Sequence, residues 1–191
     1  MGVFGVCSGA GGRLRKQSIW MRPGSVDVLI LYEEKFIRFP TVAGSNLERT
    51  QFVLPRDLPG DLNLLILAFW QHHQALVDTW MPLAAQLEEE NEGLVTFELP
   101  VIQSRSRLSQ WFIDSGMRAG IPDRRVRERT ITIYLDKAPF LDDLSITDDG
   151  TIYSLLVDRS GEVLWRASGP LDPGNEAELK LFLQERRTRM G

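Results

Sequence analysis

An α/β sandwich, a central mixed β-sheet with helices on both faces, is the fold class this sequence predicts, and three observations predict it. Short apolar runs, several of them β-branched, are of strand length. Between them lie longer segments whose apolar residues recur at spacings of three and four, the period of a helix with one buried face. One pair of runs, Thr151 to Val157 and Glu162 to Ala167, is joined by Asp158, Arg159, Ser160 and Gly161, a hairpin signal. Crossover units combined with one antiparallel hairpin require a mixed sheet covered above and below. The 191 residues, 43% apolar and 25% charged, suffice for one sizeable core.

Residues 1–25 are rich in glycine and poor in large apolar groups, which predicts a disordered tail. An acid-poor, arginine-bearing start also resembles an organelle transit segment, and a start upstream of the true one at Met21 is a further alternative. Residues 26–49 read as an accessory strand, Val26 to Tyr32, and a loop through Phe36, Ile37, Phe39 and Pro40. Gln51 to Leu54 is a strand closed by Pro55, and Leu58, Pro59, Gly60 and Asp61 turn the chain into Leu64 to Trp70, a fully buried central strand. A helix follows with Leu76, Val77, Trp80, Leu83, Ala84 and Leu87 on one face and Gly93 beyond its acidic end. Leu94 to Ile102 is strand-like. Ser106 caps a helix with Leu108, Trp111, Phe112 and Ser115 inward. Thr130 to Leu135 is a β-branched strand, and Phe140 to Ile146 a short helical or irregular piece. Asn175 with Glu178 resembles a capping box for a last helix carrying Leu179, Phe182 and Leu183.

Composition removes several function classes. The 22 Lys and Arg against 26 Asp and Glu leave a net charge of -4, against a general nucleic-acid binder. With Cys7 alone there is no internal disulfide, dithiol centre or cysteine-built zinc site, and in a glycine-rich tail Cys7 is expected to be inert. No apolar run approaches the roughly 20 residues of a membrane helix, so a soluble protein without an integral membrane segment is expected. Neither G-x-G-x-x-G nor G-K-[ST] follows any strand, so nucleotide chemistry is not expected, and the sequence calls for no cofactor and no metal.

The order of elements resembles the thioredoxin-like fold, a three-layer sandwich. Phe69 and Trp70 end the central strand as in the thioredoxin F-W-x-x-W-C-x-x-C stretch, and Pro82 sits where that family kinks its first helix. Leu155 to Val163 with Gly169 is similar to the F-L-I-D-x-x-G-x-I…G hairpin of redoxins. The resemblance implies a thioredoxin-like domain over 50–187 and a C-terminal tail over 188–191. It places the two dithiol positions on Gln74 and Val77, which have no sulfur to attack or resolve a disulfide. Thr151, Ile152 and Tyr153 stand where redoxins carry a cis-proline. The peroxidase pattern P-x-x-x-T-x-x-C also has no cysteine to land on. Trp80 with Pro82, and the strand, D-x-x-G turn and Trp165-bearing strand from Leu155, are loosely similar to thioredoxin-like assembly factors of the mitochondrial ATP synthase. That likeness implies an assembly or chaperone role without catalysis.

The candidate site follows from the resemblance together with the tendency of ligands to bind at strand ends of open sheets. Trp70, His72, His73, Gln74, Ile152 and Tyr153 are expected to share one surface, aromatic and neutral, suited to a protein or peptide partner. Both histidines are expected in solvent on a loop; the alternative is an atypical enzyme with His72 or His73 as base, oriented by Asp78. Trp70, Trp80 and Trp111 are expected in the core, with Trp70 as a groove-edge anchor the alternative. Arg118, Arg124, Arg125, Arg127 and Arg129 read as a solvated segment paired with Glu88, Glu89, Glu90 or Glu92, or else as a surface steering an acidic partner or an anionic ligand. The expected location is cytoplasmic, or the mitochondrial matrix if residues 1–25 are a transit segment.

Overall fold

The computed structural model describes residues 36–104 and 120–190. The expected tail, the strand at Val26 to Tyr32, the Ser106-capped helix with Trp111, and Arg118 lie outside the described residues. From Ile37 onward the chain forms one compact unit.

Seven strands make one sheet: β1 (Val42–Asn46), β2 (Gln51–Leu54), β3 (Leu62–Ala68), β4 (Leu94–Gln103), β5 (Ile131–Leu135), β6 (Tyr153–Asp158) and β7 (Val163–Ser168), in the order β2-β1-β5-β4-β3-β6-β7. β3 is central, parallel to β4 and antiparallel to β6. β4 is parallel to β5, and the β6–β7 hairpin is antiparallel as the Asp158 to Gly161 turn requires. Asp158 closes that turn by accepting bonds from the backbone amides of Ser160 and Glu162, while Gly161 adopts φ +84°. β1, which lies in the part of 26–49 beyond the strand expected at Val26 to Tyr32, has no counterpart among the expected elements. It pairs with both β2 and β5 and is an interior strand.

Alternation along the strands divides the core. On one face Leu65, Leu67, Phe97, Leu99, Val101, Ile131, Ile133, Leu155 and Val157 pack with Phe140 of α3 (Lys137–Asp143) and with Leu144 and Ile146 beyond it. On the other, Leu64, Ile66 and Leu156 pack with α1 (Gln74–Glu90), through Val77, Trp80, Leu83, Ala84 and Leu87, and with Leu179 and Leu183 of α4 (Pro173–Met190). The intervening α2 (Arg124–Arg129) buries nothing and is held at its start by Asp123, which accepts from the Arg125 amide.

One terminal detail differs from expectation. α4 is capped by Asp172, which accepts bonds from the Gly174 and Asn175 amides, so Asn175 lies inside the helix and the capping-box reading is corrected. The same helix continues to Met190. At the other end of the domain, α1 stops where expected: Asn91 donates through its side chain to the Leu87 carbonyl, and Gly93 takes φ +81°.

Candidate functional site

β3 ends at Ala68, and Phe69 carries the chain to Trp70, whose extended backbone (φ -140°, ψ 149°) opens a single 3-10 turn over Gln71–His73 before α1 begins. The His73 amide closes that turn on the Trp70 carbonyl at 3.0 Å. This corner stands at the C-terminal end of the central strand, where the sheet leaves room for a site.

The six expected residues divide by burial. Trp70, His72 and Gln74 are exposed, while His73, Ile152 and Tyr153 are buried. Trp70 is 51% exposed, which corrects its expected core placement; Trp80, fully buried, keeps its expected place and donates Nε1–H to the Gly169 carbonyl at 3.1 Å. The pair of solvent-exposed histidines is corrected for His73, which has 0% exposure. The physical reason is the 3-10 turn, which sends consecutive side chains in different directions. His72 points out, and His73 turns under it, the rings 4.7 Å apart and nearly perpendicular.

His73 and Tyr153 meet through Phe69, whose ring stands edge-to-face to both, at 6.5 and 6.2 Å. The Phe69 amide donates to His73 Nδ1 at 3.3 Å, so Nδ1 is unprotonated and the neutral ring carries its proton on Nε2. That Nε2–H is buried without a partner. Burial first, then His72, hold the His73 imidazole below its usual range, with Lys137 adding to the effect; the Gly150 backbone and Asp149 oppose them.

Lys137, which no sequence signal singled out, completes the corner. Its side chain is almost wholly buried, and Nζ donates to the Phe69 carbonyl at 3.0 Å and to Asp149 Oδ2 at 3.3 Å. The same ammonium lies 4.1 Å from the Trp70 ring centroid, a cation–π contact. Trp70 is therefore an exposed aromatic with one face already seated on a buried charge. Side-chain entropy that an anchor would otherwise lose on binding is in part already lost.

A second acid was also missed. Glu98, in the middle of β4, shares its cross-strand row with Ile66 and faces α1. Its carboxyl is pushed up to about 7, by burial first; a Gln74 hydrogen bond lowers it and the Asp78 charge raises it. Gln74 also donates to Asp78 at 3.0 Å, so one amide links two carboxyl groups. Asp78 is thus engaged by Gln74 rather than by a histidine. Glu98 was invisible beforehand because a lone acid in an apolar strand has no spacing signature.

Of the arginine segment, Arg129 pairs with Glu88 at 2.5 Å, Arg127 with Glu48 at 2.5 Å and Arg124 with Glu128 at 2.8 Å. The expected pairing with Glu88, Glu89, Glu90 or Glu92 is met by Arg129 alone; Arg127 and Arg124 pair with other acids. Among the described residues no group of three or more His, Cys, Asp or Glu could hold a metal ion, and no helix is long and apolar enough to cross a membrane. An open depression of roughly 440 Å³, lined by Arg38, Phe39, Pro40, Thr41, Pro55, Asp143 and Ser160, includes none of the expected site residues.

No protein-family model and no curated protein sequence matches the chain. Solved structures do. BsSco, a member of the Sco family of cytochrome c oxidase assembly proteins, aligns over 78% of this chain and 95% of its own at a TM-score of 0.52 and 13% identity. The exposed lipoprotein thioredoxin of Streptococcus pneumoniae aligns over 76% and 99% at a TM-score of 0.50 and 11% identity. The chain has the thioredoxin-like fold. In this thioredoxin-like domain the two positions that the sequence resemblance assigns to the dithiol are Gln74, exposed at the first position of α1, and Val77, fully buried in the core. With Cys7 the only cysteine, the chain has no dithiol.

Proposed function

We propose that this protein is a redox-inactive thioredoxin-like binding, chaperone or assembly module, and that the corner of Trp70, His72 and Gln74 is its contact surface for a protein or peptide partner. The single observation that carries the reading is Trp70, half exposed at the end of the central strand with its inner face on the Lys137 ammonium. A large rigid aromatic set in place before binding is the kind of residue that dominates interface energetics. His73 and Tyr153 lie beneath the surface against the Phe69 ring, and Ile152 packs in the core on the α1 face. The burial of His73 counts against that histidine as the base of an atypical enzyme, since a general base must reach its substrate, and leaves the exposed His72 as the base of that alternative. A cytoplasmic or mitochondrial-matrix location, and a role in assembly, belong to the same proposal.

The test is affinity capture from the native host with the full chain, Trp70→Ala, and Leu181→Ala as a control at an exposed apolar residue of α4. Truncating the anchor costs about 1 to 3 kcal/mol of binding. Partners retained by Leu181→Ala and lost by Trp70→Ala support the reading. Equal recovery by Trp70→Ala, with the fold intact by circular dichroism, refutes it.

A further inference from the structure

The two backbone groups of Phe69 are held by two side chains of different acid–base character. Its amide donates to the neutral His73 imidazole at 3.3 Å, and its carbonyl accepts from the Lys137 ammonium at 3.0 Å. Phe69 directly precedes Trp70, and the ammonium that holds its carbonyl also carries the Trp70 ring. One small network therefore fixes the aromatic proposed above as the partner anchor. Of the two clamps, the neutral imidazole is the one that can take up a proton.

We propose that His73 is a proton-operated release for Trp70: protonation of its imidazole breaks the clamp on Phe69 and frees the indole from Lys137, so that the surface holds its partner at neutral pH and lets it go on acidification. This inference rests on the reading of Trp70 as the anchor. A proton taken from solvent onto Nδ1 occupies the lone pair that receives the Phe69 amide, leaving two N–H donors face to face. The new charge sits in a buried ring beside the Lys137 ammonium. The acid facing both is Asp149, now bonded to Lys137 at 3.3 Å. His73 Nε2–H, buried and unpartnered, has its neighbouring groups in the same loop, Asp149 and the Gly150 backbone. Protonation thus gives Asp149 a second cation to serve, and moving toward His73 weakens its hold on Lys137. The two rings packed on His73, those of Phe69 and His72, supply no compensating negative charge. Because burial and the neighbouring cation resist the charge, the transition lies on the acid side of the usual imidazole range.

Glu98, whose carboxyl is pushed up to about 7, contacts Gln74 on α1, so it is the control for an unrelated pH effect. The experiment is a pH titration of the isotopically labelled full chain by nuclear magnetic resonance. It follows the Phe69 amide, the Trp70 indole (assigned with Trp70→Phe) and the imidazole nitrogens of His73. At neutral pH the His73 ring should show the Nε2–H tautomer. On acidification the three signals should move together. That transition should vanish in His73→Asn, which offers an amide oxygen to Phe69 but cannot titrate, and persist in His72→Gln and Glu98→Gln. Partner capture should fall about tenfold across the His73 transition located by the titration in the wild type, the effect of losing one partly buried cation–π support, and stay level over the same range in His73→Asn. A Trp70 indole that stays put while His73 titrates, or that moves equally in His73→Asn, overturns the proposal. If His73→Asn does not fold, the wild-type tautomer and the co-titration decide alone. Failure of the switch leaves capture at pH 7.5 sensitive to Trp70→Ala, whereas failure of the binding reading abolishes that sensitivity whatever His73 does.

Discussion

Replacing Glu98 by glutamine should stabilise this protein at alkaline pH and do nothing for it at pH 4.5. The carboxyl rises from an ordinary 4.5 to about 7 because it is buried under α1 beside Asp78, with only the Gln74 amide to favour its charged form. A raised carboxyl means that the native state holds a proton the unfolded chain has already released between those two values. Stability is therefore lost as pH rises from 4.5 toward 7, and the full penalty is present above 7. The shift of about 2.5 units corresponds to at most about 3 kcal/mol. Partial access to water reduces that to about 2 kcal/mol as a working figure. Glutamine has the same shape, keeps a hydrogen-bonding amide for Gln74 and carries no charge. At pH 8 its melting temperature should exceed that of the wild type by about 4 to 8 °C, for a domain of this size. The assay is thermal unfolding followed by circular dichroism at half-unit steps from pH 4.5 to 8.5. The difference should shrink steadily below pH 7 and close near pH 4.5. A variant that melts below the wild type at pH 8, or a difference that does not depend on pH, would refute the burial argument and place a cation on Glu98.

Other consequences are equally direct. Lys137→Met keeps the aliphatic stem but leaves the Phe69 carbonyl and Asp149 without their donor; it should cost about 1 to 3 kcal/mol in urea unfolding and make Trp70 fluorescence more accessible to iodide. Trp80→Ala removes the largest fully buried side chain among the described residues and its bond to the Gly169 carbonyl, and should cost about 3 to 5 kcal/mol or prevent folding at 37 °C, read by the same unfolding curves. Gly93→Ala forces a side chain onto φ +81° and against Asp61 at 2.8 Å; a loss of at least about 1 kcal/mol is expected, with unchanged stability the contrary result. Insulin reduction and peroxide turnover should match buffer, and activity that survives Cys7→Ser would contradict the alignment of Gln74 and Val77 with the dithiol.

What the chain reveals without coordinates is whatever a local period encodes. The alternation of Leu94 to Ile102, the three-and-four spacing from Val77 to Leu87 and the Asp158 to Gly161 turn each specify an element through neighbours a few residues away. The absence of a dithiol needs no coordinates either, since one cysteine cannot make two. The tertiary structure decides everything that depends on which strands lie side by side. β1 enters the sheet between β2 and β5 by pairing residues about 85 positions apart, so its interior place has no local signature. Lys137 meets the Phe69 carbonyl across 68 positions, and only that meeting turns an ordinary lysine into the support of an exposed tryptophan. His72 and His73 are identical in type and adjacent in sequence, yet one faces water and the other is sealed under it. A single 3-10 turn between β3 and α1 separates them, because backbone direction at a strand end is set by the sheet and helix it must join rather than by the residues of the turn.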